Sequence, residues 1–213
     1  MQASEIELKF PVADPAAFQA LLPALGFHLD TSRTFESNTL YDTPGRDLRA
    51  RRQLLRLRQY GALWTVTHKR QPDSGELSDP TSQDPKYKVR IETETHVDDG
   101  DATAEIFIQL GYAPVFRYEK YRTEWSQMPL FAVERSYGAI GHLVVDETPI
   151  GNYAELEGSP DWIDSMLELL GVDTADCLTD SYGKLFLDWK ARTGSPVENL
   201  TFSEIAAPVL STP

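Results

Sequence analysis

The chain has 213 residues, a formal net charge of −13, 41% hydrophobic residues and 25% charged residues. This composition is typical of a soluble globular domain and excludes a collagen-like or wholly disordered chain, and no apolar run approaches the roughly 20 residues that span a bilayer. Cys177 is the only cysteine, which excludes an internal disulfide and any multi-cysteine metal site. The acidic balance argues against a nucleic-acid partner. Because the first residues lack the basic and apolar regions of a signal peptide, we expect a cytoplasmic protein with no membrane partner.

Alternating apolar and polar residues dominate the chain and predict short strands. The predicted strands are at roughly 4–10, 33–41, 53–60, 63–70, 86–95, 115–125, 141–147 and 152–158. Capping residues predict helices that begin near Asp14, Asp101, Ser159 and Ser181. A loop is expected at 71–85, a long connection at 126–140 and a loosely ordered tail at 193–213. The pattern favours one α+β domain over 1–192, built on a large antiparallel sheet or barrel.

Charged residues recur two positions apart in most predicted strands, and both signs occur on the same face. Because successive strand side chains point to opposite faces, these residues share one side of the sheet. One interpretation is a half-buried sheet with a solvated charged face. The other is a closed barrel with its apolar side outward under the helices and the charges lining a lumen. The lumen residues would then be Glu5, Glu7, Lys9, Arg56, Arg58, Lys69, Lys88, Arg90, Glu92, Glu94, Lys120, Arg122, Asp146, Glu155 and Glu157.

The proposed lumen would hold eight bases and seven acids, which leaves 26 acids and 12 bases elsewhere in the chain. The acidity is therefore a property of the exterior and does not exclude an anionic ligand inside. Buried charges are costly unless they are paired or coordinated. Arginine and lysine bind phosphate oxygens, and clustered carboxylates bind Mg²⁺ or Mn²⁺. The pattern thus predicts a metal-bound polyphosphate as the ligand class.

Glu5-x-Glu7-x-Lys9 resembles the opening-strand signature of the CYTH superfamily, the triphosphate tunnel metalloenzymes. The resemblance covers about residues 4–190 and implies an eight-stranded antiparallel tunnel with a charged lumen and helices packed outside. The further landmarks, in order, are Tyr41-Asp42-Thr43-Pro44, Leu55-Arg56-Leu57-Arg58, Lys69, Arg90 with Glu92, Lys120 with Arg122, Asp146, Glu155 with Glu157, and Ser181-Tyr182.

The resemblance also implies a role for each matching residue. The implied metal ligands are Glu5, Glu7, Asp146, Glu155 and Glu157, and the cofactor would be Mg²⁺ or Mn²⁺. The implied substrate-binding bases are Lys9, Arg56, Arg58, Lys69, Arg90, Lys120 and Arg122. The implied catalytic residues are Glu7, Lys9 and Glu157.

The leading functional hypothesis is metal-dependent hydrolysis of a small triphosphate, either tripolyphosphate, thiamine triphosphate or a nucleoside triphosphate. A class IV adenylyl cyclase, which converts ATP to cyclic AMP and pyrophosphate, would use the same lumen. A third hypothesis is a barrel that binds polyphosphate or nucleotide without catalysis. Hydrolysis is favoured because it needs only the groups already identified. We expect a monomer or a homodimer.

Overall fold

The structure is a computed structural model that describes residues 2–73, 87–127 and 141–206; the side chains of residues 2–5 lie outside this description. It confirms the expected α+β barrel with helices outside. The strands are β1 (Gln2–Pro11), β2 (His28–Asp42), β3 (Leu54–Tyr60), β4 (Leu63–Arg70), β5 (Lys88–Val97), β6 (Ala113–Gln127), β7 (Gly141–Thr148) and β8 (Gly151–Glu157). The helices are α1 (Pro15–Leu21), α2 (Asp47–Ala50), α3 (Gly100–Gln109), α4 (Pro160–Leu170), α5 (Tyr182–Thr193) and α6 (Phe202–Ala206).

The sheet closes on itself in the order β1-β5-β4-β3-β2-β6-β7-β8. All eight neighbouring pairs are antiparallel. Strand β1 completes the closure because it pairs with β5 through residues 2–7 and with β8 through residues 7–11. Closure gives every strand a neighbouring strand on both sides and creates an interior that only one side of each strand can reach.

The main hydrophobic core lies outside the barrel wall. Leu8 and Phe10 of β1 pack in one cluster with Leu143 of β7, Leu156 of β8 and Ile163 of α4. These strand residues alternate with the charged positions of the same strands, so burying them under helices turns the charges inward. Of the two interpretations of the alternation, the closed barrel with its apolar side outward is therefore confirmed.

Three helices are capped by the predicted residues Asp14, Ser159 and Ser181, whereas α3 is capped by Asp99 and begins at Gly100 instead of Asp101. Asp14 accepts a hydrogen bond from the backbone N of Ala17, and Ser159 accepts one from Trp162. Helix α4 is capped at its C-terminus by Gly171, whose φ of 66° lies in the left-handed region that favours glycine. A short helix that the sequence analysis did not predict, α2, is fixed by Asp42, whose side chain accepts backbone hydrogen bonds from Leu48 and Arg49.

The prediction of a loosely ordered tail at 193–213 is wrong for the part that the structure describes, which ends at residue 206. Leu200 is fully buried and packs in a second hydrophobic cluster with Tyr118, Tyr182 and Phe186. Its backbone N donates to the carbonyl of Arg117 at 3.0 Å, so this segment adds to the side of β6. Burying one apolar residue and pairing its backbone offsets the entropy cost of ordering the segment. Residues 207–213 lie outside the described part of the chain.

Two other expectations fall largely on undescribed residues. The loop at 71–85 is described only to residue 73, and the connection at 126–140 only at the end of β6. Among the helices that the structure describes, none is long and apolar enough to cross a membrane.

Replacing Leu200 by alanine should destabilise the fold by about 2–4 kcal/mol, because it removes a fully buried side chain and leaves a cavity. Urea unfolding followed by circular dichroism would measure the change. Leu187→Ala is the matched control, since that leucine is 51% exposed on α5 and its loss should cost about 0.5 kcal/mol or less. Equal effects of the two variants would show that the 194–206 segment contributes nothing to the fold.

Candidate functional site

The barrel encloses a cavity of about 1180 Å³. Its lining is dominated by charged side chains from the inward positions of the strands, with a few residues from the start of α5. A lumen of this size accommodates a small molecule with several phosphate groups.

Thirteen of the fifteen residues predicted for the lumen line this cavity. They come from β1, β3, β4, β5, β6 and β8, so closure of the barrel brings together residues far apart in the chain. These residues are Glu7, Lys9, Arg56, Arg58, Lys69, Lys88, Arg90, Glu92, Glu94, Lys120, Arg122, Glu155 and Glu157.

The other two predicted lumen residues, Glu5 and Asp146, are not among those that line the cavity. The side chain of Glu5 lies outside the described part, although its backbone pairs with Arg90 across β1 and β5. Asp146 does not reach the cavity: it is fully buried behind the lining. Lys120 donates to its Oδ2 at 2.8 Å, and Arg122 donates to Oδ1 and Oδ2 at 2.7 Å each. Asp146 thus holds two bases in place here, and its implied role as a metal ligand stays a prediction.

Glu155 joins this network to β1. Arg122 donates to its Oε2 at 2.6 Å, and Lys9 forms an ion pair with its Oε1. Burial by itself would raise the pKa of Glu155, but Lys9, Arg122 and Lys120 hold it well below the usual range. Burial also opposes the charge on Arg122, yet Asp146 and Glu155 raise its pKa well above the usual value. Both groups are therefore charged inside the barrel.

Arg56 and Arg58 project from β3 into the same cavity. Arg56 donates to the hydroxyls of Tyr118 at 3.3 Å and Thr67 at 3.1 Å, which fix its guanidinium. Arg58 contacts Glu94 at 3.5 Å. The Nε atoms of both arginines are buried and have no hydrogen-bond partner among the residues that the structure describes. Because buried donors are nearly always satisfied in native proteins, these two atoms mark a place where an acceptor belongs.

The remaining predicted bases lie along β4 and β5. Lys69 pairs with Glu92, and Lys88 pairs with Glu7. Arg90 donates to the backbone carbonyl of Val89 at 2.9 Å. Each lysine is therefore neutralised by an acid of a neighbouring strand, which reduces the cost of burying both charges.

The sequence analysis missed Glu36, which is fully buried on β2. Its Oε1 accepts from Asn38 at 2.8 Å and lies 3.5 Å from the Nζ atom of Lys120, whereas Oε2 is buried and no described residue forms a hydrogen bond with it. Burial alone would raise its pKa, but the nearby Lys120, Arg122 and Arg56 lower it to about 2. The sequence did contain a sign of this position: Glu36 and the polar Asn38 are two residues apart in a predicted strand, so they share one face of it.

The role of Tyr182 was also missed, although Ser181-Tyr182 was a landmark of the resemblance. The residue opens α5, outside the barrel, yet its hydroxyl donates to Asp146 at 2.6 Å. The ammonium groups of Lys9 and Lys120 lie 4.5 Å and 4.9 Å from its ring centroid. Burial, with Asp146 and Glu155 nearby, raises the pKa of Tyr182 well above its usual value, so it remains a hydrogen-bond donor.

Carboxylates on β1 and β8 provide the right kind of ligand for a hard divalent cation. Glu7 and Glu157 are direct cross-strand partners and both line the cavity, with Glu155 one inward position along β8. Like charges at such positions repel unless a cation lies between them, and carboxylate oxygens suit Mg²⁺ or Mn²⁺. Among the described residues no three acidic, histidine or cysteine side chains converge as a metal site. A bound cation would therefore have to replace Lys88 as the partner of Glu7.

Comparison with known proteins agrees with this geometry. A family model described as the CYTH domain matches residues 3–169. The chain belongs to the CYTH domain family. A search of curated proteins finds no match.

Solved structures share the CYTH fold at low sequence identity. A Vibrio parahaemolyticus protein proposed to be an adenylate cyclase is 20% identical, with a TM-score of 0.64 over 86% of this chain and 97% of that one. A Pyrococcus horikoshii protein is 22% identical, with a TM-score of 0.63 over 87% and 99%. A Hippeastrum protein, proposed to be an adenylyl cyclase and found to have a dominant triphosphatase activity, is 20% identical, with a TM-score of 0.58 over 89% and 96%. At these identities the likeness shows the fold alone.

Glu36→Gln should lower the free energy of unfolding by about 3 kcal/mol at neutral pH, the equivalent of a pKa lowered from 4.5 to about 2. Because the folded pKa is below the unfolded one, this stabilisation is present above about pH 4.5 and is lost as the pH falls towards 2. The difference between wild type and variant should therefore shrink in acid.

Urea unfolding at a series of pH values would measure this difference. Glu168→Gln is the control, since Glu168 is exposed on α4 and its replacement should have little effect at any pH. A gap between wild type and Glu36→Gln that stays constant from neutral pH to pH 2 would contradict the assignment.

Proposed function

We propose that this chain hydrolyses a small triphosphate inside the barrel with the help of Mg²⁺ or Mn²⁺. The observation that carries the proposal is the pair of buried Nε donors of Arg56 and Arg58, for which the described part of the chain supplies no acceptor, in a cavity lined by further bases and by carboxylates. Guanidinium groups bind phosphate oxygens through strong, frequently bidentate hydrogen bonds, since the planar fork matches them.

The other bases extend this phosphate-binding surface around the lumen. Lys9 and Lys120 are buried, and Arg122 is held by Asp146 and Glu155 in one orientation. A site whose donors are fixed before the substrate binds stabilises developing charge without reorganisation. A linear triphosphate could contact these bases and Arg58 together, whereas a monophosphate would engage only some of them.

The acidic side of the lumen is suited to hold the cation. Glu7 and Glu157, with Glu155 beside them, would supply carboxylate ligands. When bound, a divalent cation neutralises phosphate charge and lowers the pKa of its bound water. Binding would release Lys88 from Glu7, so that this lysine becomes available to a phosphate oxygen.

In the proposed reaction, a water oxygen forms a bond to the terminal phosphorus and the anhydride P–O bond breaks. The products are inorganic phosphate and a diphosphate, and one proton is released. Lys9 and Arg122 both contact Glu155. They would therefore lie between the carboxylates of the site and the phosphoryl group that is transferred. Their part is to stabilise the charge on that group.

A substrate panel tests the proposal directly. Tripolyphosphate, thiamine triphosphate and ATP would each be incubated with Mg²⁺ or Mn²⁺, and phosphate, pyrophosphate and cyclic AMP would be measured separately. We expect release of one phosphate per cleaved substrate and no release in excess chelator, because metal binding depends on ionised carboxylates. Cyclic AMP with pyrophosphate would instead identify a cyclase, and binding without any product would identify a non-catalytic barrel.

Glu157→Gln should reduce turnover by at least about a hundredfold, since it removes one charged ligand of the cation while preserving side-chain shape. The apparent affinity for Mg²⁺ or Mn²⁺, measured from the metal dependence of turnover, should fall as well. Glu168→Gln is the matched control, because Glu168 is exposed on α4 and outside the cavity. Wild-type turnover of Glu157→Gln at limiting metal would refute the role of Glu157.

A further inference from the structure

Four exposed arginines lie close together in the chain where β2 leads into β3. Helix α2 and the residues that flank it carry them, and they are Arg46, Arg49, Arg51 and Arg52. We call these four residues the arginine rim. They are four of the twelve bases outside the predicted lumen positions, so positive charge is concentrated here on an otherwise acidic exterior.

The arginine rim borders an opening of the cavity. Arg52 lines the cavity and is also exposed to solvent, so the lumen reaches the surface at this residue. The next residues in the chain, Gln53 and Leu54, continue the lining towards Arg56 on β3. An anion that enters at this end therefore passes the rim before it meets the bases of the lumen.

The opposite end of the cavity carries acidic side chains. Asp30 and Glu124 line it, near the start of β2 and the end of β6. Carboxylates repel a triphosphate, whereas arginines attract it. The difference in charge between the two ends therefore favours entry past the arginine rim.

The rim arginines form no ion pair with any residue that the structure describes. Arg33, another exposed arginine, instead pairs with Glu147 at 2.8 Å. The single acid within the rim segment, Asp47, accepts a hydrogen bond from the hydroxyl of Thr43 at 2.7 Å. The charge of the rim is therefore available to an anion that arrives from solution.

The backbone that carries the rim is held in place, and part of it is strained. Asp42 accepts a hydrogen bond from the backbone N of Leu48, whose carbonyl accepts one from the backbone N of Gln53 at 2.8 Å. Arg46 and Arg52 have φ values of 61° and 58°, a region that a Cβ atom disfavours, and no other described residue except glycine has a positive φ. Glycine would suit both positions better, so the backbone does not explain the arginines there. Strain of this kind is typical of functional positions.

We propose that the arginine rim captures the triphosphate from solution and directs it into the lumen through the end beside α2. The proposal rests on the proposed function and adds to it the end at which the substrate enters and the residues that attract it there. A polyanion that approaches a chain of net charge −13 is repelled at long range. A cluster of the opposite sign at the opening reverses that field locally and raises the association rate.

The test measures how the affinity for inorganic tripolyphosphate depends on salt. Isothermal titration calorimetry in EDTA would be run at ionic strengths of about 0.01 M and about 1 M, where the screening length is about 30 Å and about 3 Å. Arg49→Gln combined with Arg51→Gln should weaken binding by about tenfold at the lower ionic strength, because slower association raises the Kd. At the higher ionic strength the loss should fall below about twofold, since exposed charges are then screened.

Two comparisons separate the rim from net charge and from the lumen. Arg33→Gln combined with Arg192→Gln removes the same charge from exposed arginines outside the cavity, and it should weaken binding by less than about twofold at the lower ionic strength. Arg58→Gln removes a base of the lumen and should weaken binding at both ionic strengths, because buried charges are screened much less.

A further variant keeps the test decisive if the double rim variant does not fold. Arg46→Gly removes one rim charge at a position whose backbone suits glycine, so its unfolding temperature should stay close to that of the wild type. It should weaken binding by about threefold at low ionic strength only, as one of several rim charges. Thermal unfolding by circular dichroism would check the fold of each variant.

The outcomes separate this proposal from the proposed function. Equal losses for the rim and control pairs, or a loss in the rim pair that persists at high ionic strength, would overturn the rim as a capture surface. Failure of the wild type to bind tripolyphosphate at low ionic strength would overturn it as well. Turnover is scored separately with Mg²⁺ or Mn²⁺. Absence of phosphate release from every triphosphate would contradict the hydrolase, while the salt dependence of binding in EDTA would still decide the role of the rim.

Discussion

Opposite charges inside a closed barrel must neutralise one another, and this requirement organises the structure. Arg122 illustrates it, because one guanidinium contacts Asp146 of β7 and Glu155 of β8, while Glu155 also contacts Lys9 of β1. Removing one member would leave a buried charge without its partner, which costs more than the pair contributes. Four strands that are separate in sequence are thereby tied together by side chains as well as by backbone hydrogen bonds.

The helices and the extension after α5 follow from the same requirement. Since the polar side of each strand faces inward, the apolar side would face water unless something covered it. Helices α1 and α4 cover Leu8, Phe10 and Leu156, and α5 with the segment around Leu200 covers β6. Tyr182 joins the two layers, because it packs with the outer aromatic cluster while its hydroxyl binds Asp146.

The proposed chemistry uses the internal ion pairs as replaceable contacts. A phosphate oxygen can take the place of a carboxylate beside Lys88, and a divalent cation can take the place of Lys88 beside Glu7. A substrate bound with its metal would bring both signs of charge, so the lumen would remain neutralised before and after binding. The proposed function would thereby account for the many carboxylates beside the bases.

The sequence by itself determined which side of each strand is charged, because side-chain alternation depends only on the local extended backbone. That was enough to place thirteen residues on one face, and capping residues separately placed the helix starts at Asp14 and Ser159. Alternation left open whether the charged face was solvated or enclosed, and the closed eight-stranded barrel was what the family resemblance implied. Alternation does not predict how deeply a side chain is buried or which residues it contacts. Only the tertiary structure set Asp146 behind the lining, buried Glu36 beside Lys120 and brought Tyr182 in from a helix, because those positions depend on register around the closed barrel and on how the outer elements pack against it.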